Sequence, residues 1–544
     1  MKVFKSIMLY LLLLIGVALA AVLICCVIMI CSPRTVVFGY KYVSFKEKIT
    51  ENPIELGAVS AVSVTSNRMD IIIVPNTESN EVLISYSQGM SGFVKADAPD
   101  LKVEITASKA MEFDSGDTSY GSGTTYNTFC VNVKEPDGWM FLGDCHIKVA
   151  LKTNKTFTVI NASSNKGIVA YLSTAENEYG TKKTIGCTNL YLTSKSKDTS
   201  EDAITIKYPN ASRYYVKTSV GDCYFINDDA AINGDIIFES TGGELVAKSG
   251  ALRGDLTVRS SADVNGASLD ITTLNGNLTY HARSGNIDIG TIDRGSNAAY
   301  PMVDIQSEYC SINVTTLIGT ITTQGYEGGD IDNIDVNIKN LTYAAALARN
   351  IDINSGAGNI YITNLNGVAN LVSSTGNITV KNATSNINLE TYNGRIKLDF
   401  SDGSNNQTRL NINVLYRSNI TVHDVKGNVN INVGKSAGRD IVLSLHDSTL
   451  PTGSSSAEIH IYSDNDNVQI KTKESALAVY TDGKISREDV AQTTKIISSH
   501  FDYDSTYTMD VQKRYNYAST DRAIRYSKLY IHGEGKTQVF GRSV

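Results

Sequence analysis

The sequence predicts an all-β fold: a parallel β-helix, or β-solenoid, built from strand-turn units of roughly nine residues and preceded by an N-terminal transmembrane helix. Three observations carry this reading. The 544 residues include 42 glycines against 8 prolines, with only 19% charged residues, a profile of short strands and tight turns. The run from Ile7 to Cys31 holds 25 residues without a charge. Between Gly358 and Gly394 one pattern recurs every nine residues.

Composition also excludes. The net charge of −7 is mild for this length, and the basic residues are scattered with no stripe or interleaved aromatics, so no nucleic-acid partner is expected. Tyrosine is abundant, 29 against the single Trp139, and suits strand positions where the ring packs and the hydroxyl stays wet.

Residues 1–34 read as a cytoplasmic tip and membrane anchor. The run IMLYLLLLIGVALAAVLICCVIMIC, residues 7–31, exceeds the about 20 residues needed to cross the hydrocarbon core. Ala18-Leu19-Ala20 matches a signal-peptide cleavage site, but eleven more apolar residues follow it, which favours a retained anchor. Bulky Ile24 and Ile30 before Cys25 and Cys31 disfavour lipoprotein cleavage. Lys2 and Lys5 on one side face Arg34, Lys41, Lys46 and Lys48 on the other, so the charge count does not fix orientation. An extracellular bulk, single-pass in the cell membrane, is the expectation.

Residues 35–210 read as an irregular β-rich opening. VSVTSNRMDIIIVP (62–75), EVLISYS (81–87), DLKVEITAS (100–108) and HIKVALKT (146–153) alternate or run in β-branched residues. Asp114–Thr128 reads as a polar surface loop. Outside the anchor stand Cys130, Cys145, Cys187, Cys223 and Cys310, an odd set with no C-x-x-C. Cys130 with Cys145 is the one pair close enough for a bridge, and buried free thiols are at least as well supported.

Residues 211–449 read as regular solenoid repeats. Gly358, Gly367, Gly376, Ser385 and Gly394 stand nine apart. The third and fifth positions of each unit are Ile360 and Ile362, Ala369 and Leu371, Ile378 and Val380, Ile387 and Leu389, Ile396 and Leu398. Between them lie Tyr361, Asn370, Thr379, Asn388 and Lys397, so each unit presents one apolar face and one polar face. So short a strand cannot bury its inner face alone; stacked in parallel, each finds backbone partners above and below. Glycine is expected at the corner, for positive φ or close backbone approach, with Asn or Asp tolerating the same corner. Two units would close a coil of about 18 residues, and at about 4.8 Å per strand residues 214–444 would span about 60 Å. An antiparallel meander of hairpins is the competing arrangement, disfavoured because glycine holds one phase in every unit.

Residues 450–544 read as C-terminal strands and a tyrosine-rich cap, with AEIHIYS and NVQIKT as strands and Tyr503, Tyr507, Tyr515, Tyr517, Tyr526 and Tyr530 beyond them. A solenoid end exposes unpaired strands and needs a cover.

This organisation, on residues 55–445, resembles the bacterial putative-adhesin family, membrane-anchored or secreted proteins with degenerate G-x-I-x-I strand repeats. The resemblance rests on the AVSVTSNRMDIIIVP opening, HIKVALKT, and units such as GNIYI and GNITV. It implies a parallel β-helix and an adhesive role, and carries over no catalytic residues.

Chemistry-bearing motifs are scarce. The seven histidines, His146, His281, His423, His446, His460, His500 and His532, form no metal-ligand spacing. No G-x-S-x-G or phosphate loop occurs, and the units lack the G-G-x-G-x-D phase of calcium-binding repeats, so no cofactor, metal or catalytic residue is expected. Asp464-Asn465-Asp466-Asn467 reads as a solvated turn. Arg253-Gly254-Asp255 spells a cell-attachment tripeptide but falls on a repeat corner, Leu450-Pro451-Thr452-Gly453 is an incomplete sortase signal, and sequons at Asn277 and Asn377 arise from Asn corners followed by Thr strands. The leading expectation is a non-enzymatic, membrane-anchored surface protein, adhesin-like or acting in the cell envelope, with an extracellular glycan or protein ligand. A self-associating membrane-linked scaffold is the alternative. A polysaccharide-active β-helix enzyme ranks third, since its site would need acids and bases where the repeats place Asn, Thr and Tyr.

Overall fold

The computed structural model describes residues 2–445, except 33–34, 46–47, 52, 77–80, 99–100, 114–123, 137, 154, 175–181, 197–201, 229, 261–265, 296–298, 344–350, 385, 400–408, 417–418, 426–427 and 434–439. Beyond residue 445 it describes the strands 458–462, 467–472, 477–481, 485–488, 495–498, 527–532 and 537–541. The chain divides into two compact units, Met1–Phe238 and Glu239–Val544.

In the first unit a single helix, Lys2–Cys31, leads into strands. Its apolar part, Met8–Cys31, is 24 residues long, about 36 Å at 1.5 Å per residue, and exceeds a hydrocarbon core of about 30 Å. Length and composition fit a membrane span, and a signal sequence meets the same criteria.

Two sheets follow. In one, Asp70–Asn76, Ile168–Tyr171, Ile204–Lys207 and Cys223–Ile226 lie side by side in parallel. In the other, Ala61–Ser66, Thr156–Ser164, Gly186–Ser194 and Ala211–Thr218 do the same. Each sheet begins with antiparallel strands. Gly138–Lys152 runs parallel to Asp70–Asn76 and antiparallel to Leu83–Lys95, whose far side carries Tyr40–Phe45 and Lys48–Thr50. Thr125–Lys134 joins Ala61–Ser66 to the antiparallel strand Lys102–Glu112. The expected loop over Asp114–Thr128 is therefore too long at its end: Thr125–Thr128 already belong to a strand, because Tyr126 and Asn127 pair across to Met111 and Ala110. Residues 114–123 lie outside the described residues.

All eight cysteines are free thiols. Cys130 and Cys145, the candidate bridge, stand in strands of different sheets.

The second unit is simpler. Up to Asn467–Thr472 successive strands alternate between two sheets, and the strands named next pair in parallel with the one two places along. One sheet runs through Ser284–Ile292, Tyr309–Ile318, Asn333–Thr342, Ile360–Asn366, Ile378–Ala383, Ile396–Asp399 and Ile420–Val425. The other runs through Leu278–Ala282, Met302–Gln306, Thr320–Gln324, Ile351–Asn354, Ala369–Ser373, Ile387–Thr391 and Arg409–Val414. Such alternation is solenoid-like, and the parallel registers exclude a meander of hairpins.

Why these residues form these strands follows from the interior. Ile360, Ile378, Ile396 and Ile420 meet in register, as do Ile362, Val380, Leu398 and Val422. Ala369, Ile387 and Leu410 meet in the facing sheet, beside Leu371, Leu389 and Ile412. All are at most 2% exposed. A buried aliphatic side chain contributes about 1.5–3 kcal/mol, so the two ladders are the main cohesive term of the array.

The end of the chain breaks the sequential order. The strand Ser527–His532 lies between Glu458–Tyr462 and Leu477–Thr481, and Thr537–Gly541 lies between Asn467–Thr472 and Ile485–Glu488. The final strands thus slot in between two earlier coils. Of the cap tyrosines, Tyr530 falls in this inserted strand, opposite His460 and Tyr480; Tyr503, Tyr507, Tyr515, Tyr517 and Tyr526 lie outside the described residues.

Candidate functional site

The polar surface of the second unit is set by its corners. Gly358, Gly376 and Gly394 follow one another at intervals of one coil, and close approach is what demands glycine there. A Cβ on Gly376 would lie 1.9 Å from the carbonyl oxygen of Gly358, and one on Gly394 1.8 Å from that of Gly376. Neither has positive φ; Gly367 does, at 145°, as does Gly254 at the Arg-Gly-Asp corner, at 155°. Ser385 lies outside the described residues.

The residue after the glycine has a role that turn propensity missed. The Oδ1 of Asp335 accepts the backbone N–H of Asn359 at 2.8 Å, that of Asn359 accepts the N–H of Asn377 at 2.9 Å, and that of Asn377 accepts the N–H of Arg395 at 3.2 Å. Each Asn or Asp therefore satisfies the corner donor of the next coil. The same chain of bonds runs from Asp255 to Asn277, 3.0 Å, and from Asn277 to Met302, 2.9 Å. Asp255 of the Arg-Gly-Asp triplet is a corner acceptor, and the sequon residues Asn277 and Asn377 are ladder members. Leu450–Gly453 and 464–466 of the acidic turn lie outside the described residues.

Two further asparagine ladders cross the outward faces. Asn364 donates to Asn340 at 2.6 Å and Asn382 to Asn364 at 2.7 Å. On the facing sheet Asn388 donates to Asn370, and Asn411 to Asn388, both at 2.8 Å. The middle amides, Asn364 and Asn388, each use their oxygen and one N–H along the ladder and keep further hydrogen-bonding capacity for solvent or ligand.

Charged and aromatic groups are sparse on this surface. Lys381 lies 5.2 Å from the Tyr361 ring, and its hydrogen bond lowers the phenol's pKa. Tyr309, half-exposed, donates to Asp332, and that bond raises its pKa to about 12. Tyr392 and Tyr416 stack at 5.4 Å with 11° between ring planes and are 50% and 38% exposed.

One short turn breaks the regularity. The ring of Tyr326, on a short turn at Tyr326–Gly328, lies 4.8 Å from that of His281, and its hydroxyl donates to the Ser260 carbonyl at 3.3 Å. Among the described residues, His281 Nε2 and Asp304 Oδ1 are buried side-chain atoms without a hydrogen-bond partner in the protein. Glu327 holds left-handed φ 51°, ψ 29°, a conformation costly for a residue with a side chain. Among the described residues no group of three or more His, Cys, Asp or Glu converges as a metal would require. The signal was present in the sequence, since Gly325-Tyr326-Glu327-Gly328-Gly329 interrupts the repeat phase.

No family model matches the chain, and no curated protein matches it. Among solved structures it is similar to a putative cell adhesion protein from Clostridium sporogenes, at 14% identity and a TM-score of 0.20, over 50% of this chain and 99% of that one.

Proposed function

We propose that this chain is a non-enzymatic display protein, anchored in the cell membrane by residues 7–31, whose β-solenoid body presents a long polar face to an extracellular glycan or protein. The observation that carries the reading is the pairing of an apolar helix, Met8–Cys31, with parallel sheets whose outward faces carry asparagine ladders. Unsatisfied amide valences in regular rows suit the hydroxyls of a sugar chain or the backbone of a peptide. The adhesin-like role follows from that surface and the tether together.

The test is protease accessibility of the body in intact and permeabilised cells, read with an antibody against the C-terminal strands, followed by binding screens against glycans and envelope proteins. Digestion in intact cells supports display outside. Protection until permeabilisation overturns it and favours an internal membrane-linked scaffold.

A further inference from the structure

Directly after the apolar helix the chain spends free energy twice in one turn. Val37 and Tyr40 exchange hydrogen bonds, Val37 N–H to Tyr40 O at 2.9 Å and Tyr40 N–H to Val37 O at 3.0 Å, closing a two-residue turn on Phe38 and Gly39. Both central residues have positive φ, 53° for Phe38 and 79° for Gly39. A two-residue hairpin turn of this kind ordinarily carries Asn-Gly or Asp-Gly, whose first residue tolerates the left-handed region. Here a phenylalanine occupies it and is 87% exposed. A bulky residue is strained in this conformation, and an exposed benzyl group adds unfavourable hydration, so neither effect recommends Phe38 in water.

Its neighbours share the character. Val36 is 52% and Tyr40 41% exposed. The turn opens the edge strand Tyr40–Phe45, in which Tyr42 packs its ring 5.5 Å from Phe93, and the backbone register continues from Phe93 to Trp139. Position is fixed by the helix: only six residues separate Cys31 from Phe38, a reach of at most about 25 Å. Hydrogen bonds at Ser32, to Ile28 O at 2.9 Å, and at Thr35, to Ser32 O at 2.8 Å, shorten that reach, and Met29 near the helix end is only 6% exposed.

We propose that the Val36–Tyr40 turn, with Phe38 at its tip, inserts into the interfacial layer of the lipid bilayer that the helix spans. Aromatic side chains favour that layer, where an apolar ring and a polar rim are both accommodated. The inserted turn holds the strand Tyr40–Phe45 against the membrane surface and covers a sheet edge that water would leave open. The inference rests on the helix being a retained anchor.

The experiment uses the full chain reconstituted in phosphatidylcholine vesicles, with Phe38→Trp as a reporter and the wild-type emission, which comes from Trp139 alone, subtracted. Vesicles of lipid brominated near the carbonyl end of the acyl chain are compared with unbrominated ones. The added tryptophan is expected to emit blue-shifted and to be quenched about twofold by the brominated lipid. Tyr40→Trp supplies a second reporter if the first perturbs the turn. Unquenched emission at the aqueous maximum from both reporters, in protein that floats with the vesicles, overturns the docking and leaves the anchor intact. Protein that fails to float overturns the anchor and the docking with it.

Discussion

The side-chain oxygen of Asn359 accepts two hydrogen bonds from Asn377, one coil further along the second unit: the backbone N–H at 2.9 Å and the amide Nδ2 at 3.1 Å. Asn359 in turn donates its own Nδ2 to Asp335 at 3.2 Å. Each corner is thus tied to both of its neighbours. Asn359→Ala is expected to destabilise the unit by about 1 kcal/mol, since the lost bonds lie near solvent and water replaces part of them. Asn359→Asp keeps the acceptor for Asn377 but sets a second carboxylate against Asp335. Its loss should exceed that of the alanine variant at neutral pH and shrink in acid, as urea unfolding of both variants against pH will show.

Gly376→Ala tests close approach. With 1.9 Å between the new Cβ and the Gly358 oxygen the coils must part, and a loss of about 3 kcal/mol is expected. Gly57→Ala is the control, because its Cβ meets nothing within 4 Å and its φ is not positive. Its unfolding free energy should stay within about 0.5 kcal/mol of the parent.

Burial pushes the thiols of Cys187 and Cys310 up from an ordinary 9.0 to about 12. A raised acid binds its proton more tightly folded than unfolded, so the associated stability is intact below pH 9 and drains away as pH rises toward about 12. Unfolding midpoints measured from neutral to strongly alkaline pH should fall over that window. Cys187→Ala and Cys310→Ala, each costing stability at neutral pH, should flatten the fall. At pH 8 neither native thiol should react with a maleimide, whereas both should react after denaturation.

The inserted strands Ser527–His532 and Thr537–Gly541 predict a topological dependence. Truncation after Tyr526 removes both: the shared neighbour of Glu458–Tyr462 and Leu477–Thr481 and that of Asn467–Thr472 and Ile485–Glu488, leaving four strand edges unpaired. The truncated chain is expected to lose its cooperative transition over the C-terminal strands and to associate through them, read by hydrogen exchange and light scattering. A truncation with unchanged exchange protection at residues 458–481 would count against the insertion.

What the sequence made legible follows from period. Strands with isoleucine at the third and fifth positions could be placed because a two-residue alternation and a nine-residue phase both constrain them, and Ile360, Ile378 and Ile396 do stand in one register line. The antiparallel opening was not legible: nothing local in Leu83–Lys95 or Gly138–Lys152 tells which neighbour a strand of alternating residues will choose. The order at the C-terminus was hidden for the same reason, since pairing between residues 458 and 528 is a tertiary choice. The role of the corner asparagines was half visible. Their recurrence marked the turn, but the partner that explains them, a donor one coil away, has no signature within a single unit.

Alternation of strands between two sheets also gives the array a parity. Residues Ile360 and Ile378 pair at an offset of 18, while the strand between them, Ala369–Ser373, belongs to the other sheet. Deleting 18 residues here would rejoin like to like and leave every later strand on its own side. Deleting nine would transfer each later strand to the opposite sheet, bringing Asn388 and its ladder to the side of Tyr361 and setting Ile387 where Ile378 had been. A lineage of such chains can therefore grow or shrink smoothly only in even steps. Other changes of length must be absorbed in the connections, as where offsets of 24 between Val336 and Ile360, and of 23 between Leu389 and Ile412, leave the sheets in phase.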